Sequence, residues 1–182
     1  MRRCLPVIHA IHPADQSTCH YQQLEIEFSN GQRRSYTRQV FQGQGSVIVV
    51  PYIDTQTVLL VREYAAGIHR YELGLVKGRI DPGETPLDAA NRELKEEAGY
   101  GAKDLRILRT LSLLPSYMTT SSHLVLAQQL YPDRLPGDEP EPLEVISWPV
   151  SRIPELLFNA EFSEGRSLAA LLIATHWMEK HG

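Results

Sequence analysis

Between Gly78 and Tyr100 the chain reads GRIDPGETPLDAANRELKEEAGY, a stretch that places a glycine-flanked turn directly before a carboxylate-bearing helix. At about 100° per residue, Glu93, Glu96 and Glu97 fall within about a third of the helix circumference, beside an apolar stripe of Leu87, Ala90, Leu94 and Ala98. One face packs and the adjoining face carries bare carboxylates. Glu93 and Glu97 are like charges one turn apart, which costs an isolated helix roughly 0.2–0.5 kcal/mol unless a cation neutralises them. A lone E-x-x-E-E is ordinarily a solvated, charged helix face. Here the neighbouring residues point further.

Asp81-Pro82-Gly83 is turn material. Thr85 suits the N-cap, Pro86 the first helical position and Asp88 a capping box, while Gly99 ends the helix. Divalent Mg2+ or Mn2+ prefers oxygen ligands, and hydrolysis of a pyrophosphate needs positive charge on its oxygens and a water aimed at phosphorus. The carboxylate cluster matches that demand. His9 and His12, next to Pro13, read as surface histidines, and no His or Cys constellation at convincing spacing suggests zinc.

The segment resembles the Nudix box, G-x5-E-x7-R-E-U-x-E-E-x-G-U with U a bulky apolar residue. Gly78, Glu84, Arg92, Glu93, Glu96, Glu97 and Gly99 match its fixed positions, and Leu94 fills the first apolar slot. Tyr100 departs from the usual aliphatic residue at the last. The resemblance implies that Glu93 and Glu97 bind Mg2+ or Mn2+ directly, that Glu96 is a further ligand or organises a water, and that the carbonyl of Lys77 joins them. It implies two or more ions once substrate is bound. Glu84 becomes a supporting residue at the turn, and Arg92 the partner that orients a box glutamate.

Flanking matches in YELGLVKGRIDPGE, ANRELKEE, LPSY and GDEPEPL are similar to ADP-ribose pyrophosphatases and to NudE-type ADP-compounds hydrolases. Pro115 lies at the downstream spacing associated with ADP-ribose hydrolases, and Tyr117 where diadenosine-polyphosphate hydrolases carry a tyrosine. The NADH-pyrophosphatase marker SQPWPFP is absent. In Gly137-Asp138-Glu139-Pro140-Glu141-Pro142 the carboxylates alternate with stiffening prolines. By resemblance this loop supplies a general base, Glu139, and an added metal ligand, Glu141; the bland alternative is an acidic surface turn. Arg38, Arg62 and Arg79 are candidates for holding phosphate or ribose, or else surface ion-pair residues.

Composition bounds the rest. A chain of 182 residues, 42% hydrophobic and 22% charged, suffices for one packed domain with a small appendage. Its net charge of −4 and lack of a basic run disfavour nucleic acid, Arg33-Arg34 reading as a solvated pair. Cys4 and Cys19 form no disulfide framework. The stretch after Arg2-Arg3 is too short and interrupted for a signal peptide, and no segment reads as a membrane span. A cytoplasmic protein is expected.

Alternation at 24–28, the Asn30-Gly31 turn and a return strand over 33–41 predict an N-terminal β-hairpin. Strands are predicted at 46–53 and 57–64 around Asp54-Thr55-Gln56, then at 105–114, 123–130 and 144–148. Helices are predicted at 153–158 and 163–181, the latter begun by Ser163 and Glu164. The order resembles the α+β Nudix fold, an α/β/α sandwich with a mixed sheet and the box as loop-helix-loop. The chain divides into an appendage at 1–43 and a Nudix hydrolase domain at 44–182. In similar enzymes the N-terminal strands exchange across a homodimer. The resemblance implies a pyrophosphohydrolase of ADP-X compounds, among them ADP-ribose, diadenosine triphosphate and NADH. Competing readings are a catalytically silent nucleotide-sensing Nudix module, which typically lacks box glutamates, and an RNA 5′-pyrophosphohydrolase.

Overall fold

A computed structural model describes residues 4–12 and 19–181; Arg2, Arg3 and Pro13 lie outside the described residues. Residues 4–12 form no regular element and are exposed, His9 and His12 among them. The N-terminal hairpin pairs β1 (Cys19–Glu27) antiparallel with β2 (Arg33–Phe41), in register from Cys19 opposite Phe41 to Glu27 opposite Arg33. Gly31 turns it at φ 78°, a conformation that a side chain would strain.

The remaining strands build a mixed sheet around β3 (Ser46–Asp54). On one edge β3 runs parallel to β8 (Ser121–Pro132) from Ser46 to Pro51. Its other edge is shared. Ser46 to Val49 pair antiparallel with β6 (Val76–Arg79), and Tyr52 and Asp54 pair with β4 (Thr57–Ala65). The strands β5 (Arg70–Gly74) and β9 (Glu144–Pro149) both join β4, and β7 (Tyr100–Ser112) pairs with β8.

β3 and β8 are continuous apolar runs because both their faces are buried. On one face Ile48, Val50, Tyr52, Leu124 and Leu126 pack against α2 (Ile153–Leu156) and α3 (Gly165–His181), chiefly through Ile153, Leu156, Leu171 and Ala174. On the other face Val47, Val49, Val125 and Ala127 meet Ala89, Ala90, Leu94 and Ala98 of the box helix. Strand alternation thus assigns even residues of β3 and β8 to one core and odd residues to the other. This is the expected α/β/α sandwich with a mixed sheet. No helix among the described residues is long and apolar enough to cross a membrane.

Four local outcomes differ from expectation. The strands β5 and β6 are additional to those expected: both are short, β5 alternating polar and apolar over Arg70 to Leu73 and β6 mostly polar, and pairing with β4 and β3 establishes them. β7 begins at Tyr100, directly after the box helix, and ends at Ser112, before a turn in which Leu114 has φ 44°. The C-terminal helix starts at Gly165, with Glu164 accepting from the Ser167 amide at 2.8 Å. The helix predicted at 153–158 shortens to Ile153–Leu156.

Candidate functional site

The box helix α1 (Pro86–Glu93) begins as its residues dictate. The Thr85 hydroxyl accepts from the Asp88 amide and the Asp88 carboxylate accepts from Thr85, closing a capping box. Its continuation is not regular. Leu94–Ala98 forms a wider π turn, and the Gly99 amide at φ 77° is shared between the carbonyls of Leu94 and Lys95. Such turns concentrate at functional sites, and this one carries Glu96 and Glu97.

Glu93 and Glu97 both face inward, each 9% exposed. Glu93 lies over Gly78 of β6, where a Cβ would stand 2.0 Å from the Glu93 carboxyl carbon. The requirement for glycine here is one of space. Burial raises the Glu93 pKa to about 7 against the opposing pull of Arg92, with Glu96 and Asp138 adding repulsion. Burial likewise holds Glu97 well above the carboxylate range, offset in part by Lys77 and reinforced by Glu63 and Glu93. The Oε2 atom of Glu97 is buried without a hydrogen-bond partner.

Arg92 organises the turn before the helix. Its Nε and Nη2 donate to both oxygens of Glu84 at 2.8 and 3.0 Å, and its Nη1 to Glu93 at 2.7 Å and Glu96 at 3.0 Å. Its Nη2 also reaches the Arg79 carbonyl at 2.9 Å. Such a fork is matched to carboxylates in a way lysine is not. Glu84 in turn accepts from the Asp81 amide at 3.0 Å, and its hydrogen bond with Arg92 holds its pKa below the usual range.

The acidic loop is secured at both ends. After β8 the Asp133 amide donates to Gly99 O at 3.1 Å, Leu135 N to Lys95 O at 3.3 Å, and Lys95 pairs with Asp133 at 2.9 Å. Farther along, the Tyr71 hydroxyl of β5 donates to Glu141. The loop thereby lies over the end of the box helix, and together they enclose a cavity of about 730 Å³ lined by Glu63, Lys77, Arg79, Arg92, Glu93, Glu96, Glu97, Glu139 and Glu141. Burial, with Glu63 and Asp138, pushes the Glu139 pKa up.

The predicted substrate contacts separate. Arg79 lines this cavity and also an adjoining one of about 750 Å³ walled by Phe41, Leu111, Leu113, Leu114 and Met118. Arg38 and Pro115 line a third space against the hairpin, where Arg38 donates to Gln22 at 2.9 Å. Tyr117 is 65% exposed, its carbonyl accepting from the Gln39 amide of β2 at 2.7 Å. Arg62 is engaged by Glu161 at 2.7 Å and Glu144 at 3.1 Å and does not line the box cavity. Two site residues escape sequence reading, Glu63 and the Lys77 side chain, which pair with each other inside the cavity. Their sequence signal is slight: Glu63 follows the apolar run Val58 to Val61 of β4, and Lys77 directly precedes the first glycine of the box.

Glu93, Glu96 and Glu97 offer the oxygen donors that a hard divalent cation takes, and the orphaned Glu97 oxygen fits such a role. With Arg92 and Lys77 holding the carboxylates, no three acidic, His or Cys side chains among the described residues converge as ligands in this arrangement.

Comparison with known proteins bears on the same segments. Residues 43–170 match the NUDIX domain model, and residues 6–38 match the NudE-type Nudix hydrolase N-terminal domain. The chain is 47% identical over 159 residues to the ADP compounds hydrolase NudE of Escherichia coli (strain K12), covering 87% of this chain and 85% of that protein. It is 26% identical over 149 residues to the ADP-ribose pyrophosphatase of Bacillus subtilis (strain 168), covering 81% and 80%. A crystal structure of an ADP compounds hydrolase superposes with a TM-score of 0.84 at 45% identity, over 93% of this chain and 91% of that one. Fold, box and overall similarity agree, and the chain belongs to the Nudix hydrolase family.

Proposed function

We propose that this enzyme hydrolyses the pyrophosphate bond of ADP-X compounds to AMP and X-phosphate, with Mg2+ or Mn2+ as cofactor. The carrying observation is the buried pair Glu93 and Glu97, one with an orphaned oxygen, facing an acidic loop across one cavity. Glu93, Glu96, Glu97, the Lys77 carbonyl and Glu141 would hold the metal, two or more ions being present with substrate. Bound there, it would supply positive charge for the phosphate oxygens and polarise a water.

The chain's own residues do the rest. Arg92 fixes Glu93 and Glu96 through its hydrogen bonds and ties them to Glu84. Glu139 takes the proton of the attacking water, a role suited to a carboxylate whose pKa is raised. Arg79, at the junction of the two larger cavities, binds phosphate, and the apolar cavity beside it has room for a nucleoside. Arg38, Pro115 and Tyr117 act in substrate selection from the hairpin side, whereas Arg62, a candidate phosphate or ribose contact by residue type, is held by Glu144 and Glu161. Residues 1–43 form the appendage to the hydrolase domain at 44–182 and exchange with a second copy in a cytoplasmic homodimer.

The test is a substrate panel with Mg2+ read by chromatography, containing ADP-ribose, diadenosine triphosphate, NADH and 5′-triphosphorylated RNA. Release of AMP from the ADP compounds is the expected result. Turnover of the RNA alone, or of nothing, refutes it.

A further inference from the structure

Of the four basic side chains that line the acidic cavity, Arg92 and Lys77 pair with carboxylates around it. Arg92 takes Glu84, Glu93 and Glu96. The Lys77 ammonium donates to Glu63 Oε2, and its positive field acts on Glu97 and Glu139. All four of these residues line the cavity. Lys77 and Glu63 are sheltered, with side-chain exposures of 23% and 27%, so their interaction is less screened than that of a surface pair.

We propose that the Lys77 ammonium is an internal counter-ion to Glu63, Glu97 and Glu139, holding them together when no divalent cation is bound and competing with one that arrives. The inference rests on the metal-dependent reading above, since a competitor needs something to compete with. The buried Glu97, the sheltered Glu63 and the exposed Glu139 line one cavity and repel one another unless a cation stands among them. Lys77 is placed to be that cation by β6, whose next residue, Gly78, gives Glu93 its space.

The compensation is incomplete. Glu97 Oε2 has no hydrogen-bond partner, so the ammonium neutralises this carboxylate through its field and leaves the oxygen open to a direct ligand. A divalent cation on that oxygen would stand close to the ammonium and be repelled by it. Lysine is a compact charge on a flexible stem, which allows it to withdraw with Glu63. Lys77 is therefore a positioning residue acting through the acids around it.

The test uses the whole chain without substrate: calorimetric titration with Mn2+, and thermal unfolding in EDTA, for wild type, Lys77→Met, Lys77→Arg and Arg134→Met. Arg134 lines the same cavity from an exposed position. Lys77→Met should bind Mn2+ at least about fivefold tighter, because a nearby repulsive charge is gone, and should melt lower in EDTA. Lys77→Arg should stay near the wild-type affinity. Arg134→Met removes an equal charge at a solvated site and should change affinity by less than about twofold. Lys77→Met binding no tighter, or Arg134→Met tightening equally, overturns the proposal. A Lys77→Met chain that folds only with Mn2+ supports it; one that folds in neither condition overturns it, since the metal then does not replace the ammonium. Absence of Mn2+ binding by the wild type would overturn the metal-dependent reading as well. Tight wild-type binding with an unchanged Lys77→Met leaves that reading standing and refutes the counter-ion alone.

Discussion

Gly78 and Glu93 approach so closely that a Cβ on the glycine would stand 2.0 Å from both the carboxyl carbon and Oε1 of the glutamate. Glu93 is held between this strand and Arg92 and lines the cavity, so its carboxylate is the group that must move. Gly78→Ala should therefore displace the carboxylate while β6 stays paired. A loss of at least ~10-fold in kcat, with a stability cost of about 1–3 kcal/mol, is expected from steady-state kinetics and denaturant unfolding. Full activity in the variant would mean that Glu93 does not need its present position.

Glu97 should show opposite effects on catalysis and on stability. Glu97→Gln removes a buried carboxylate whose ionised form is disfavoured by burial, so the variant should melt higher than wild type in EDTA. Its kcat should fall at least ~10²-fold, the order expected when electrostatic stabilisation of the transition state is lost. A variant that retains turnover sinks the ligand assignment, whatever its melting temperature.

The metal-free protein should lose stability as pH rises through a defined window. Glu93 titrates at about 7 in the fold against an ordinary 4.5, so its contribution is fully present below about 4.5 and is lost as pH climbs through about 7. Glu84, held low chiefly by Arg92, acts the other way, its contribution being lost only as pH falls through its depressed folded value, below 4.5. Melting curves in EDTA should thus decline between pH 4.5 and 7. Saturating Mg2+ or Mn2+ should flatten that decline by favouring the ionised form; an identical slope with and without metal would contradict metal binding at Glu93.

The two glutamates of the acidic loop should fail in different ways. Glu139→Gln should lower kcat by ~10²–10⁴-fold and abolish the acidic limb of the pH–rate profile, since that limb reports the base. Glu141→Gln should instead raise the Mg2+ concentration giving half-maximal rate. Tyr71→Phe, which removes the hydroxyl donating to Glu141, should produce a weaker version of the Glu141 effect. Unaltered rates and metal dependence in the two glutamine variants would reduce the loop to an acidic turn.

Arg62 offers a contrast. Its Nε and Nη1 are engaged by Glu144 and Glu161 on two other segments, so Arg62→Met should lower stability by about 1 kcal/mol with KM little changed. A large rise in KM at unchanged stability would restore it as a substrate contact.

Sequence alone determined what is encoded within a few consecutive residues. Thr85, Pro86, Asp88 and Gly99 specify the start and stop of the box helix through caps that need no distant partner. The apolar runs of β3 and β8 declare burial on both faces, and Asn30-Gly31 declares the hairpin. The charge pattern of Glu93, Glu96 and Glu97 already marked the acidic face.

Tertiary structure decided what depends on residues far apart in the chain. The strands β5 and β6 exist because β4 and β3 pair with them, the alternation over Arg70 to Leu73 and the four residues Val76–Arg79 being too short to stand alone. The same pairing brings Lys77 to Glu63 and turns a charged strand residue into part of the cavity. It likewise decides which arginines are free to meet substrate: Arg79 opens onto two cavities, whereas Arg62, equally basic in sequence, is held by acids from β9 and the turn before α3. A side chain's charge is local information, but its partner is fixed only when non-adjacent strands close.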